Sequence, residues 1–97
     1  MIEKIFEWDE NKNKSNFQKH GISFNEAQTV FSDDYANYLA DDEHSEEEER
    51  FIVIGESART KLLVVCHCYR ESEMIIRLIS ARKAERPEMD LYYGGVV

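Results

Sequence analysis

Two arginines stand in or at the end of the stretch Met74-Ile75-Ile76-Arg77-Leu78-Ile79-Ser80-Ala81-Arg82, which is otherwise β-branched and apolar enough for a central strand. A guanidinium in such a setting needs a carboxylate partner or a cleft, because an uncompensated charge inside a fold is strongly unfavourable. Its planar, permanently charged fork binds two oxygens of an oxyanion at once. Groups able to move protons lie nearby in the chain. His67 sits on the strand expected to pair with the arginine strand, and an unperturbed imidazole titrates at about 6.5. Glu88 and Tyr92 follow Arg82 on a C-terminal segment able to lie over the same face. Lys61, Arg70, Lys14 and His20 add further positive or titratable groups.

Other arrangements of reactive residues lead nowhere. Cys66-His67-Cys68 looks like a zinc site, but neighbours on a strand point to opposite faces and the chain has no other cysteine to complete four ligands. The same alternation turns His67 away from both thiols, which removes a Cys–His nucleophile. Asp42 and His44 are ligand types without a second histidine at ligand spacing. No metal or cofactor is expected.

The elements that position the arginines follow from the pattern. Ile2 to Trp8 reads as a first strand, with Ile2, Phe6 and Trp8 on one face. Asp9 caps a polar helix over Asn11 to His20, which Gly21 stops and Phe17 anchors. Ser23-Phe24-Asn25-Glu26 reads as a capping box opening a second helix, whose Phe24, Ala27, Val30 and Phe31 recur at helical spacing. Strands are expected over Tyr35 to Ala40, Phe51 to Gly55, Lys61 to Tyr69 and Met74 to Arg82, with a short helix from about Arg86 to Tyr93. Short connections make successive strands antiparallel. The fold class is therefore α+β: an antiparallel meander sheet with two N-terminal helices on one face and a short C-terminal helix. One difficulty is geometric. Arg77 and Arg82 are an odd number of residues apart, which puts them on opposite faces of a regular strand. Either a bulge intervenes or Arg82 lies past the strand end. The helix-like run from Lys83 favours the second.

Length and charge bound the rest. The 97 residues make one domain with a modest core, and 42% of them are hydrophobic. No apolar run approaches the roughly 20 residues of a membrane helix, the N-terminus lacks a signal-peptide pattern, and the cysteines suit a reducing compartment. A cytoplasmic protein is expected. The net charge of −8 is uneven. Residues 32–49 hold nine acids and no Lys or Arg, whereas residues 50–86 hold eight Lys or Arg against four Glu. The acidity is mostly one patch, and the arginine strand belongs to a basic half that can meet a polyanion. The acidic run at 41–49 reads as a solvated turn or as a surface for a basic partner. Leu91-Tyr92-Tyr93 and Val96-Val97 suggest apolar surface for a partner or for the chain's own sheet.

Several motifs, in one order and with fitting spacing over nearly the whole chain, resemble the BrnT family. They are Phe6-x-Trp8-Asp9, Lys19-His20-Gly21-x-Ser23-Phe24-x-Glu26-Ala27, His44-Ser45, Glu49-Arg50, Ile54-Gly55-x-Ser57 and Ile79-Ser80-Ala81-Arg82-Lys83-Ala84. Members often carry Gly-Arg where this chain has Thr60-Lys61. The resemblance implies a RelE-like ribonuclease fold and a toxin of a type II toxin–antitoxin pair that cuts RNA and slows translation. It implies neutralisation by a BrnA-like antitoxin that binds DNA, in a hetero-oligomer that represses its own operon. Operator DNA would be met only through the antitoxin, and no membrane is involved.

Metal-free RNA cleavage, in which the 2′-hydroxyl attacks the adjacent phosphorus, needs a base, an acid and cations around the extra negative charge. Arg77 and Arg82 suit the last task. His67, Glu88, His20 and Tyr92 are the proton-transfer candidates. Lys14, His20, Lys61 and Arg70 are candidates for gripping the RNA backbone. A second reading keeps the antitoxin partner but little catalysis, making the chain an interaction module that modulates DNA binding.

Overall fold

The computed structural model describes residues 4–44 and 48–94. Met1 to Glu3, Ser45 to Glu47, and the terminal segment with Val96 and Val97 therefore lie outside the described residues. The chain runs β1 (Ile5–Glu7), α1 (Glu10–His20), α2 (Phe24–Ala27), a 3-10 turn (Gln28–Ser32), β2 (Asn37–Ala40), a short 3-10 turn (Asp42–His44), β3 (Phe51–Glu56), β4 (Leu62–Arg70), β5 (Ile75–Lys83) and α3 (Arg86–Tyr92). Among the described residues no helix is long and apolar enough to cross a membrane.

The sheet has five strands in the order β1-β5-β4-β3-β2. Strands β2 to β5 form the expected antiparallel meander, but β1 pairs with β5 in parallel, so the sheet is mixed. The reason is topological. After β1 the chain climbs through α1 and α2 before entering the meander at its far edge, and the last meander strand then returns beside β1.

The face bearing α2 holds the main core. Ile22, Phe24, Ala27 and Val30 pack on Val53, Leu63, Val65, Ile76, Leu78 and Ala81. Trp8 meets the Phe24 ring edge-on at 5.9 Å, at the margin of that core. Gly55 lies directly beneath the 3-10 turn, where a Cβ would come within 2.8 Å of Val30 Cγ1. Any larger residue there would push the turn off the sheet.

Asp9 caps α1 as its sequence suggests, accepting from the amides of Asn11 and Lys12, and Gly21 closes the helix with φ +73°. The anchor of α1 is not Phe17, which is 56% exposed, but Asn16, which is 7% exposed. Its side-chain amide donates to the carbonyls of Ile22 (2.9 Å) and Ala81 (2.8 Å) and accepts from the Ala81 amide (3.0 Å). Strand β1 ends opposite Arg77, so the upper edge of β5 has no strand beside it there. Asn16 takes the place of that missing strand at Ala81. The expected capping box is only half formed: Ser23 Oγ accepts from the Glu26 amide, but the Glu26 carboxylate turns away to accept from Ser57 Oγ at 2.8 Å.

Candidate active site on the bulged strand

Strand β4 is regular, so Val64, Cys66 and Cys68 share the face opposite the main core. Their partners on β5 are Arg82, Ser80 and Arg77. The register slips between Cys66 and His67, because Ile79 is one residue too many in β5. This bulge restores the parity that an odd spacing breaks, and it sets Arg77 and Arg82 on one face. Of the two explanations open from the sequence, the bulge is the one realised. Arg82 lies inside β5, and the strand continues through Lys83.

On that face the C-terminal helix covers one end. Tyr92 of α3 packs with Ile52, Ile54, Leu62, Val64 and Ala84. Pro87 suits the first turn of α3, and the Glu85 amide donates to Glu88 Oε1 at 2.7 Å. Beside this cover is a hollow of about 300 Å3. Its apolar floor is Ile52 and Val64, and its polar wall comprises Arg82, Arg50, Ser80, Cys66, Asp41 and Glu43.

Arg82 is held from behind. Its Nη1 and Nη2 donate to the two oxygens of Glu88 at 3.0 and 3.2 Å, a bidentate pair. Those hydrogen bonds keep Glu88 below the usual carboxylate range and Arg82 above its ordinary value, so both stay charged at neutral pH. Burial, with the Asp41 carboxylate close by, pushes the Cys66 thiol up to about 11, so it enters the hollow as a neutral group.

Arg77 shares the face but is engaged elsewhere. Its Nη1 donates to Glu7 Oε2 at 2.7 Å, tying β5 to β1, and it does not line the hollow. Arg70 also leans on Glu7 and on Glu48, at 3.8 and 3.5 Å. Lys61 pairs with Glu26 at 3.7 Å. Lys14 is exposed on α1 beside Phe17, and His20 lies at the end of the same helix. None of these four side chains lines the hollow.

His67 lies on the other side of the sheet. It is fully buried, ringed by Phe31, Tyr38, Phe51 and Tyr69, with Nδ1 3.1 Å from the Val65 carbonyl and Nε2 3.3 Å from the Tyr69 hydroxyl. Burial lowers its pKa to about 4. A neutral imidazole sealed in the opposite core cannot exchange protons with a group at Arg82. Tyr92 donates its hydroxyl to Asp33 Oδ2 at 2.6 Å, and that hydrogen bond raises its pKa. It pins the end of α3 to the β2–β3 side of the domain.

Arg50, Ser80 and Asp41 are neighbours of Arg82 that were not expected from the sequence. Ser80 carried a signal, standing two residues before Arg82 on the same strand. Asp41 and Arg50 stand at the two ends of the acidic loop, joined by the Asp41 amide donating to the Arg50 carbonyl, and no local pattern brings them to β5.

The fold is a small α+β domain with an arginine-walled hollow on one sheet face. Residues 8–88 match the family model described as the ribonuclease toxin, BrnT, of type II toxin–antitoxin systems. The crystal structure of the Brucella abortus ribonuclease toxin BrnT superposes with a TM-score of 0.65, at 23% identity, over 87% of this chain and all of that one. No curated protein matches the sequence. The chain belongs to the BrnT family of ribonuclease toxins.

Proposed function

We propose that this protein is an endoribonuclease toxin that cleaves RNA by attack of the 2′-hydroxyl on the adjacent phosphorus, without a metal ion. The observation that carries this reading is the Arg82 fork, fixed by Glu88 at the wall of a hollow that also contains Arg50 and Ser80. A phosphodiester seated there meets two guanidinium groups and a hydroxyl donor, suited to a phosphorane with extra negative charge, with the Asp41 and Glu43 carboxylates on the same wall. Glu88 positions the fork in this reading, since Arg82 and the Glu85 amide occupy both of its oxygens. The 2′-oxygen forms its bond to phosphorus, its proton passes to water, and the bond to the 5′-oxygen breaks as that oxygen takes a proton from water. The products are a 2′,3′-cyclic phosphate and a free 5′-hydroxyl. Arg77 serves the architecture of β1 and β5 more than the phosphate, and Tyr92 holds α3 in place. Lys14, His20, Lys61 and Arg70 are left with outer contacts to the RNA backbone. A RelE-like kinship, a BrnA-like antitoxin and a toxin–antitoxin hetero-oligomer belong to the same reading.

The test is cleavage of RNA by the purified protein in EDTA with end-group analysis. Cyclic phosphate and 5′-hydroxyl ends are expected. Cleavage that vanishes in EDTA, or 5′-phosphate ends, would overturn the mechanism.

A further inference from the structure

Strand β2 closes one side of the sheet, and among the described residues no strand pairs with its outer edge. Among the described residues the edge lacks the usual protections. Asn37-Tyr38-Leu39-Ala40 has no lysine, proline or bulge, and Tyr38 and Leu39 are 47% and 38% exposed. Beside it, on the face of the main core but beyond the helices, lies a hollow of about 400 Å3. Tyr38, Phe51 and Tyr69 supply its rings, Lys4 stands 6.0 Å over Tyr69, and the buried His67 forms the aromatic floor beneath. An open strand edge beside an aromatic hollow is the arrangement that β-strand addition uses: backbone hydrogen bonds supply affinity and a pocket for alternate side chains supplies selectivity.

Charge decides the occupant. Residues 33–43 contain five acids and no Lys or Arg; Asp33 is bonded to Tyr92 and Asp41 and Glu43 line the Arg82 hollow, which leaves the exposed Asp34 and Asp42 to flank the two ends of β2. An RNA strand would be repelled there, and so would the same edge of a second copy of this chain. A cationic polypeptide would be attracted and oriented. We propose that the outer edge of β2 is the docking site of an extended, basic segment of a partner protein, which adds a sixth strand and places one large apolar side chain among Tyr38, Phe51 and Tyr69. The proposal takes the kind of partner, an antitoxin, from the reading above, but it does not depend on RNA cleavage.

The probe is a synthetic peptide alternating lysine and valine with one central phenylalanine. Controls are the same peptide with glutamate for lysine, a copy N-methylated on alternate amides so that one edge cannot pair, and a single-stranded RNA of equal length. Backbone amide exchange of the full-length protein is followed together with RNA cleavage. The basic peptide is expected to slow exchange at residues 37–40, the glutamate peptide not to bind, and the N-methylated copy to lose at least about tenfold in affinity. Tyr38→Ala is expected to weaken the peptide by about tenfold while RNA cleavage stays at the wild-type rate. Equal binding of the N-methylated copy, protection outside β2, preference for the RNA, or no binding by any probe would overturn the docking site. Cleavage measured in the same samples reports separately on the nuclease reading.

Discussion

Arg77 and Arg82 stand on the same face of β5 although five positions separate them, because the bulge at Ile79 inserts one unpaired residue between them. Sharing a face has not given them the same partners. Arg77 is bound to Glu7 across the parallel β1–β5 ladder, whereas Arg82 is bound to Glu88 at the rim of a hollow. The two substitutions should therefore separate. Arg77→Ala is expected to cost about 1 kcal/mol of stability, the worth of a half-exposed ion pair, and to leave most of the RNA cleavage intact. Urea denaturation alongside a cleavage assay checks both halves.

Asn16 gives the clearest stability prediction. Replacing it with Ala or Leu removes three hydrogen bonds and leaves the Ala81 amide and carbonyl buried without a partner. A loss of roughly 2–4 kcal/mol is expected, far above that of a surface asparagine. Phe17→Ala, one residue along, should change stability by about 0.5 kcal/mol or less. Chemical denaturation of the pair of variants tests the assignment.

His67 makes stability depend on pH in a defined window. Burial lowers the folded-state pKa to about 4, while in the unfolded chain the imidazole takes its proton at about 6.5. Between those values the unfolded state binds more protons, so stability falls as pH drops from about 6.5 towards 4, by about 3 kcal/mol at most. The contribution is flat above that window. His67→Phe, which keeps a ring among the surrounding aromatics, should remove the slope, and thermal unfolding measured across this pH range shows whether it does.

Thr60 adopts φ +62° in the turn between β3 and β4, a left-handed conformation that disfavours a β-branched residue. Thr60→Gly is expected to raise stability by about 1 kcal/mol, seen as a higher denaturation midpoint at an unchanged slope.

Much of the fold was legible because its signals are local. Asp9, Gly21 and Ser23 mark their helix ends, and alternating or continuous apolar runs place β3, β4 and β5 within a residue or two. What escaped was non-local. The parallel pairing of β1 with β5 is decided by where the meander ends, not by residues 5–7. The anchoring of α1 by Asn16 depends on β1 being too short to cover Ala81, and a polar residue on a polar helix gives no hint of that. In the site, Arg82 and its partner Glu88 were within reach of the sequence, six residues apart. His67 was misplaced because strand alternation says that it opposes the two cysteines but not which side of the sheet is the core. Arg50 and Asp41 join Arg82 only once the meander has brought β3 beside β4, and β4 beside β5.

Arg82 is the side chain on which phosphodiester binding in the hollow depends most. The decisive measurement is kcat/KM for RNA cleavage by Arg82→Ala and Arg82→Lys against the wild type, with folding confirmed for each by circular dichroism and denaturation. A loss of at least about a hundredfold is expected for Arg82→Ala, with partial recovery for Arg82→Lys, which keeps the charge without the fork. Cleavage by folded Arg82→Ala at the wild-type rate would contradict the placement of the phosphodiester in this hollow.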